Sequence, residues 1–160
     1  MSSTNNLAFT APINPSGVTP LTRQQIWAGL QLKVRSAETF VPGAIQSTDV
    51  LSESVDPATG NSVVVREVVF RESQKRVKEV VTSFEPCRVE FDQPDGSRVS
   101  NVVSEGAGGD LYMTYIFEWR HPGVSQEELA ALLEKQKRMS QGAVEGTLSA
   151  LRQLVADGKI

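Results

Sequence analysis

The longest regular pattern of apolar and polar positions lies near the end of the chain. From Ser125 to about Ala156, Leu129, Leu132, Leu133, Ala143, Val144, Leu148, Leu151, Leu154 and Val155 recur at the i, i+3, i+4 spacing of one buried helical stripe. Glu134, Arg138, Gln141, Glu145 and Arg152 fall on the opposite face. At a rise of ~1.5 Å per residue this helix is roughly 47 Å long, more than a small domain needs, so it is expected to lie across a whole curved sheet. Ser125 and Glu128 form a capping box at its start, and Gly158 is placed to stop it.

Upstream the pattern is shorter and changes period. Leu7 to Ile13 predicts a strand, ended by Asn14-Pro15-Ser16-Gly17. Thr22 and Gln25 form another capping box, followed by Ile26, Trp27, Leu30 and Val34 on one helical face. Ser36 caps a further short turn of helix through Phe40, which Pro42-Gly43 ends. Strands then follow in series: Ile45 to Val55, Ser62 to Arg71, Arg76 to Phe84, the alternation through Cys87, Val89 and Phe91, Val99 to Ser104, and Leu111 to Trp119. Every connection after Ala44 is short enough for a hairpin, so the sheet is expected to be antiparallel. The predicted order is one strand, two short helices, about six antiparallel strands and a long helix.

Composition narrows the class. Hydrophobic residues make up 39% of 160, enough for a single domain spanning residues 1–160 with its own core. Residues 1–5 are expected to be disordered. A net charge of -3 argues against a nucleic-acid partner. The polar, uncharged stretch Met1 to Asn6 has no basic or apolar region of a signal peptide, and no apolar run reaches the ~20 residues of a membrane span. With a single cysteine no intramolecular disulfide forms. The expectation is a cytoplasmic monomer or small homo-oligomer.

The element order is similar to the α+β helix-grip fold of the START and Bet v 1-like superfamily, also called SRPBCC. There a curved antiparallel sheet, here of six or seven strands, wraps a long C-terminal helix, and two short helices close one end. More closely, Ala8-Phe-Thr-Ala-Pro-Ile-Asn14, Leu21-Thr-Arg-Gln-Gln-Ile-Trp-Ala-Gly-Leu30 and Leu111-Tyr-Met-Thr-Tyr-Ile-Phe-Glu-Trp-Arg-His-Pro-Gly123 resemble the family of acetylaranotin biosynthesis cluster protein L. The resemblance implies an apolar cavity, used to bind or to tailor a secondary metabolite. It brings no settled catalytic motif.

Most candidate chemistry in the chain has an ordinary reading. His121 and Cys87 are the sole residues of their kinds, so no zinc site of the Cys/His type can be assembled, and no metal or cofactor is expected. His121 reads as a turn residue and Cys87 as a buried, inert thiol on the Val89 and Phe91 face. Gly106-Ala-Gly-Gly109 lacks the following Lys-Ser/Thr of a phosphate loop and leads into a strand, so it reads as a hairpin turn.

Polar residues on faces that should be buried say more. Gln136, Ser140 and Thr147 fall mid-stripe on the long helix, Asn101 shares a face with Val99 and Val103, and Tyr115 with Met113, Phe117 and Trp119. A cavity holding water or a polar ligand would satisfy them. Alternatively, Ser140 and Thr147 bond back to their own helix and Tyr115 reaches the surface. The expected cavity lining is Trp27, Phe40, Met113, Tyr115, Phe117, Gln136, Ser140 and Val144.

Three functions fit: a binding module for a hydrophobic small molecule, a cyclase or isomerase using the same cavity, or a protein-interaction module of co-chaperone type. For the enzyme, Glu67 and Glu79 are the strand carboxylates that alternation could turn inward. Glu67, on the face of Val63, Val65 and Val69, is the preferred base, with Tyr115 or Asn101 donating to an oxyanion. Val64, Val68 and Phe70 make the other face equally apolar; a shift of one residue turns Glu67 to solvent and brings Arg66 inward.

Overall fold

The computed structural model describes residues 3–160. Its elements are β1 (Thr4–Pro12), α1 (Arg23–Arg35), a 3-10 turn (Ala37–Thr39), β2 (Ile45–Val55), β3 (Ser62–Phe70), β4 (Arg76–Phe84), β5 (Arg88–Asp92), β6 (Arg98–Glu105), β7 (Leu111–Arg120) and α2 (Gln126–Ala156). The seven strands form one antiparallel sheet in the order β1-β7-β6-β5-β4-β3-β2. The second short helix is thus a single 3-10 turn, too brief between Ser36 and Pro42 to become α-helical.

Both predicted capping boxes form. The Thr22 hydroxyl accepts from the Gln25 amide while the Gln25 side chain accepts from the Thr22 amide, and Ser125 and Glu128 repeat the exchange. At the end of α2 the Lys159 amide donates to the Leu154 carbonyl and the Gly158 amide to that of Val155, with Gly158 at φ +70. These bonds satisfy carbonyls left over by the helix, and the left-handed conformation suits glycine.

α2 packs chiefly on β1 and β7, and α1 crosses α2. The crossing is close: a Cβ on Gly29 would lie 1.9 Å from Leu151 Cδ2. One contiguous core joins α1, α2 and the inner face of the sheet, with Ile26, Leu30, Val64, Val81, Val89, Met113, Tyr115, Val144 and Leu151 all nearly inaccessible.

Two expectations are corrected. Of residues 1–5, Met1 and Ser2 lie outside the described residues, but Thr4 opens β1 and Asn5 is buried. Asn5 Nδ2 donates to the Leu129 carbonyl (3.0 Å) and to Gln136 Oε1 (2.9 Å), which ties the strand's polar start to α2. Cys87 is exposed, not buried. It sits in the turn between β4 and β5, beyond the alternation that begins at Arg88.

Candidate functional site

Alternation on β3 decides which charges enter the interior. Val64, Arg66 and Val68 are buried, whereas Glu67 is half-buried on the opposite face, 2.8 Å from Arg76. The expectation that Glu67 points inward is therefore corrected, and with it Glu67 as a base in the interior. The strand is apolar on both faces, so periodicity alone leaves its parity open.

Arg66 lies directly opposite Glu79 of β4, and each side chain is 5% exposed. Arg66 donates through Nε and Nη2 to Glu79 Oε1 (3.0 and 2.8 Å) and through Nη1 to the carbonyls of Lys33 and Val34 (3.0 and 2.9 Å). It thereby caps carbonyls in the last turn of α1, where a cation is favoured. Gln93 Nε2 donates to the other Glu79 oxygen.

Lys33 follows Ile26 by seven residues and Leu30 by three, and this phase turns it inward. Its ammonium donates to Asn101 Oδ1 at 2.7 Å and lies 4.7 Å from the ring centre of Tyr115 and 5.0 Å from that of Phe91. Its pKa falls from 10.5 to about 7, chiefly through burial and then through the charge of Arg66, with Glu79 working in the other direction. Asn101 is fully buried, and its Nδ2 has no hydrogen-bond partner among the described residues. The Tyr115 hydroxyl pairs with Thr147 Oγ1 at 2.7 Å. Burial pushes the Tyr115 phenol well above its ordinary range, against the smaller effect of that hydrogen bond.

A separate polar chain lies towards the start of α2. Gln136 Oε1 accepts from Asn5, so its Nε2 donates to His121 Nε2 at 2.8 Å. Ser140 donates to the Lys137 carbonyl of its own helix, the ordinary alternative for that residue. Thr147 and Tyr115 instead bond to each other in the interior.

All eight residues expected to line a cavity are buried. Trp27, Phe40, Met113, Tyr115, Phe117 and Val144 share the central apolar cluster, while Gln136 and Ser140 satisfy their polar groups as described. Trp27 also borders a surface hollow of about 250 Å³, together with Arg23, Gln24, Ala28, Glu85 and Pro86. A second, more open hollow of about 430 Å³ lies outside the interior, along Val124, Glu128, Ala131, Leu132 and Lys135. The interior thus places Asn101 and Tyr115 around Lys33 and leaves Glu67 outside. Sequence reasoning missed Lys33 altogether. Among the described residues no helix is long and apolar enough to cross a membrane.

A family model described as acetylaranotin biosynthesis cluster protein L matches residues 7–158. No curated protein matches the chain. Among solved structures, the di-domain ARO/CYC StfQ from the steffimycin biosynthetic pathway is 5% identical with a TM-score of 0.61, over 97% of this chain and 52% of that one. Ara h 8.0201 is 11% identical with a TM-score of 0.55, over 96% and 99%. The protein XoxI from Bacillus cereus is 16% identical with a TM-score of 0.53, over 100% and 99%. At such identities the likeness shows the fold, the Bet v 1-like helix grip.

Proposed function

The chain belongs to the family of acetylaranotin biosynthesis cluster protein L, and we propose that it binds a hydrophobic small molecule, polyketide-, lipid- or secondary-metabolite-like, between α2 and the inner face of the sheet. The observation that carries this reading is the group of polar side chains set within an apolar interior: Lys33, Asn101, Tyr115 and Thr147. Burying such groups costs stability unless each is partnered, and the Asn101 amide nitrogen has no partner among the described residues. A ligand-binding role accounts for that cost, because a polar atom of the ligand completes the set.

In this reading the hollow beside Trp27 is the way in, since Trp27 belongs both to its wall and to the core. The test is a titration with the uncharged dye N-phenyl-1-naphthylamine in a Trp119→Phe variant, which leaves Trp27 as the chain's tryptophan. Saturable dye fluorescence from one site, with a parallel change in Trp27 emission, is expected. Non-saturable binding, or saturation without any response of Trp27, would refute the reading.

Lys33 favours a second reading, tailoring of the bound compound by proton transfer, as in a cyclase or isomerase. An amine whose pKa is lowered to about 7 can give and take a proton near neutral pH. Turnover lost in Lys33→Met even at saturating ligand would support it; a purified protein that leaves a bound 1,3-diketone unchanged in hydrogen–deuterium exchange at its central carbon, relative to buffer, would exclude it.

A further inference from the structure

Hydrogen-bond donors outnumber acceptors at the centre of the interior. Arg66 and Lys33 both lie over Phe91, with Arg66 Cζ 4.7 Å and Lys33 Nζ 5.0 Å from the ring centre. Glu79 is the carboxylate that pairs with this group, and its two oxygens already accept from Arg66 and Gln93. Arg66 is further supplied with the carbonyls of Lys33 and Val34. Among the described residues Lys33 Nζ has one acceptor, Asn101 Oδ1, and it also lies over the faces of two aromatic rings. Asn101 Nδ2 has no acceptor among the described residues. Turning the amide over would not help, because its oxygen would then lose the Lys33 donor. The Tyr115 hydroxyl is already paired with Thr147. What this spot lacks is an acceptor, and with Lys33 charged it also lacks a second negative charge.

We propose that Lys33 and Asn101 form a recognition site for an anionic oxygen, a carboxylate or an enolate, carried by an otherwise apolar ligand. The inference rests on the ligand-binding reading above and specifies the polar end of that ligand. One such oxygen accepts from Lys33 Nζ and Asn101 Nδ2 together and stands to Lys33 as Glu79 stands to Arg66. Hydrogen bonds between ionised partners are the strong ones, more so where Phe91 and Tyr115 exclude water. A neutral ester of the same skeleton supplies an acceptor but no charge, and binds more weakly.

Proton uptake follows from the same arrangement. The groups that face Lys33 are Arg66, which disfavours its charge, Glu79, which favours it, and Tyr115, which stays neutral. A bound anion adds a second favourable partner, so above neutrality Lys33 binds a proton as the anion arrives.

The test compares 2-naphthoate, methyl 2-naphthoate and 1-(2-naphthyl)butane-1,3-dione by calorimetric titration at about pH 8, in two buffers of different ionisation enthalpy. Wild-type protein is expected to bind the better of the two acids at least about tenfold more tightly than the ester, as a charged hydrogen bond warrants. Preference for naphthoate identifies a carboxylate as the ligand's head, and preference for the diketone an enolate. Uptake of up to one proton should accompany the naphthoate and none the ester. Lys33→Met should weaken the preferred acid by about tenfold and leave the ester within about twofold. The proton count needs no variant, so it decides even if Lys33→Met folds poorly. Equal binding of acids and ester, naphthoate binding without proton uptake, or a preference that survives Lys33→Met overturns the proposal. If all three compounds fail to bind but N-phenyl-1-naphthylamine saturates, the anion site falls and the pocket reading stands. If the dye fails as well, both fall.

Discussion

Removing the Glu79 carboxylate is a direct test of the interior's charge balance. Arg66 and Glu79 are each 5% exposed and 2.8 Å apart, so neither is rescued by solvent. In Glu79→Leu, Arg66 keeps the two carbonyls on Nη1 but loses the acceptor of Nε and Nη2. Breaking a buried pair by deleting one partner costs about 3–5 kcal/mol. Lys33 also loses the group that favours its charged form, so the damage should be greater below neutrality, where Lys33 must carry its proton. Replacing both partners, as Arg66→Met with Glu79→Leu, removes the stranded charge. It leaves the Lys33 and Val34 carbonyls without their donor, at about 1 kcal/mol each. The double variant should therefore be more stable than Glu79→Leu alone by about 1–3 kcal/mol. Urea unfolding followed by circular dichroism measures both, provided the slope m is unchanged. A loss under about 1 kcal/mol for Glu79→Leu, or a double variant less stable than the single, would refute the account of a desolvated ion pair.

Other consequences can be checked on the same unfolding curves. Gly29→Ala forces a Cβ to within 1.9 Å of Leu151 Cδ2, so the fully buried Leu151 side chain must shift within the core. Repacking costs about 1–3 kcal/mol against a gain of about 1 kcal/mol in helix propensity, so a net loss is expected; a more stable variant would contradict it. Lys33 binds its proton less tightly folded, at about 7, than at the ordinary 10.5 of the unfolded chain. Its contribution therefore opposes folding below about pH 7, and stability recovers as pH rises from there towards 10.5. Lys33→Met should remove that rise; identical pH profiles would refute it. Tyr115→Phe strands the buried Thr147 hydroxyl and should cost about 1–3 kcal/mol, most of it recovered by adding Thr147→Val. No recovery in the double variant would show that the pair is not what holds these residues.

The parts of the fold that were legible in the sequence rest on local chemistry. The capping boxes at Thr22 and Ser125 need residues three apart, and the alternation along β7 has one apolar face, so both could be read directly. β3 could not, because Val63 to Phe70 is apolar on both parities. A clue lay one strand on: Glu79 stands between Val77 and Val81, and its cross-strand partner is Arg66. Lys33 sits on the apolar phase of α1, but a lysine is ordinarily read as solvent-facing. Asn5 was missed for a different reason. Its partners Leu129 and Gln136 are far away in sequence, and no local pattern marks a polar residue that is buried by such contacts.

The place of β1 at the sheet's edge beside β7 has a consequence for how the chain folds. From β2 to β7 each strand pairs with the next one made, so that meander can zip up as it is synthesised. β1 is made first and seated last: Thr4 waits for Arg120, and Asn5 for a helix residue 131 positions away. Closing so long a loop is slow compared with forming a hairpin. Throughout that interval Leu7, Phe9 and Ala11, which pack on the finished core, belong to an unpaired β-forming segment. The stretch most exposed to wrong pairing during synthesis is thus the first strand, and a chaperone that binds nascent apolar segments should meet it there.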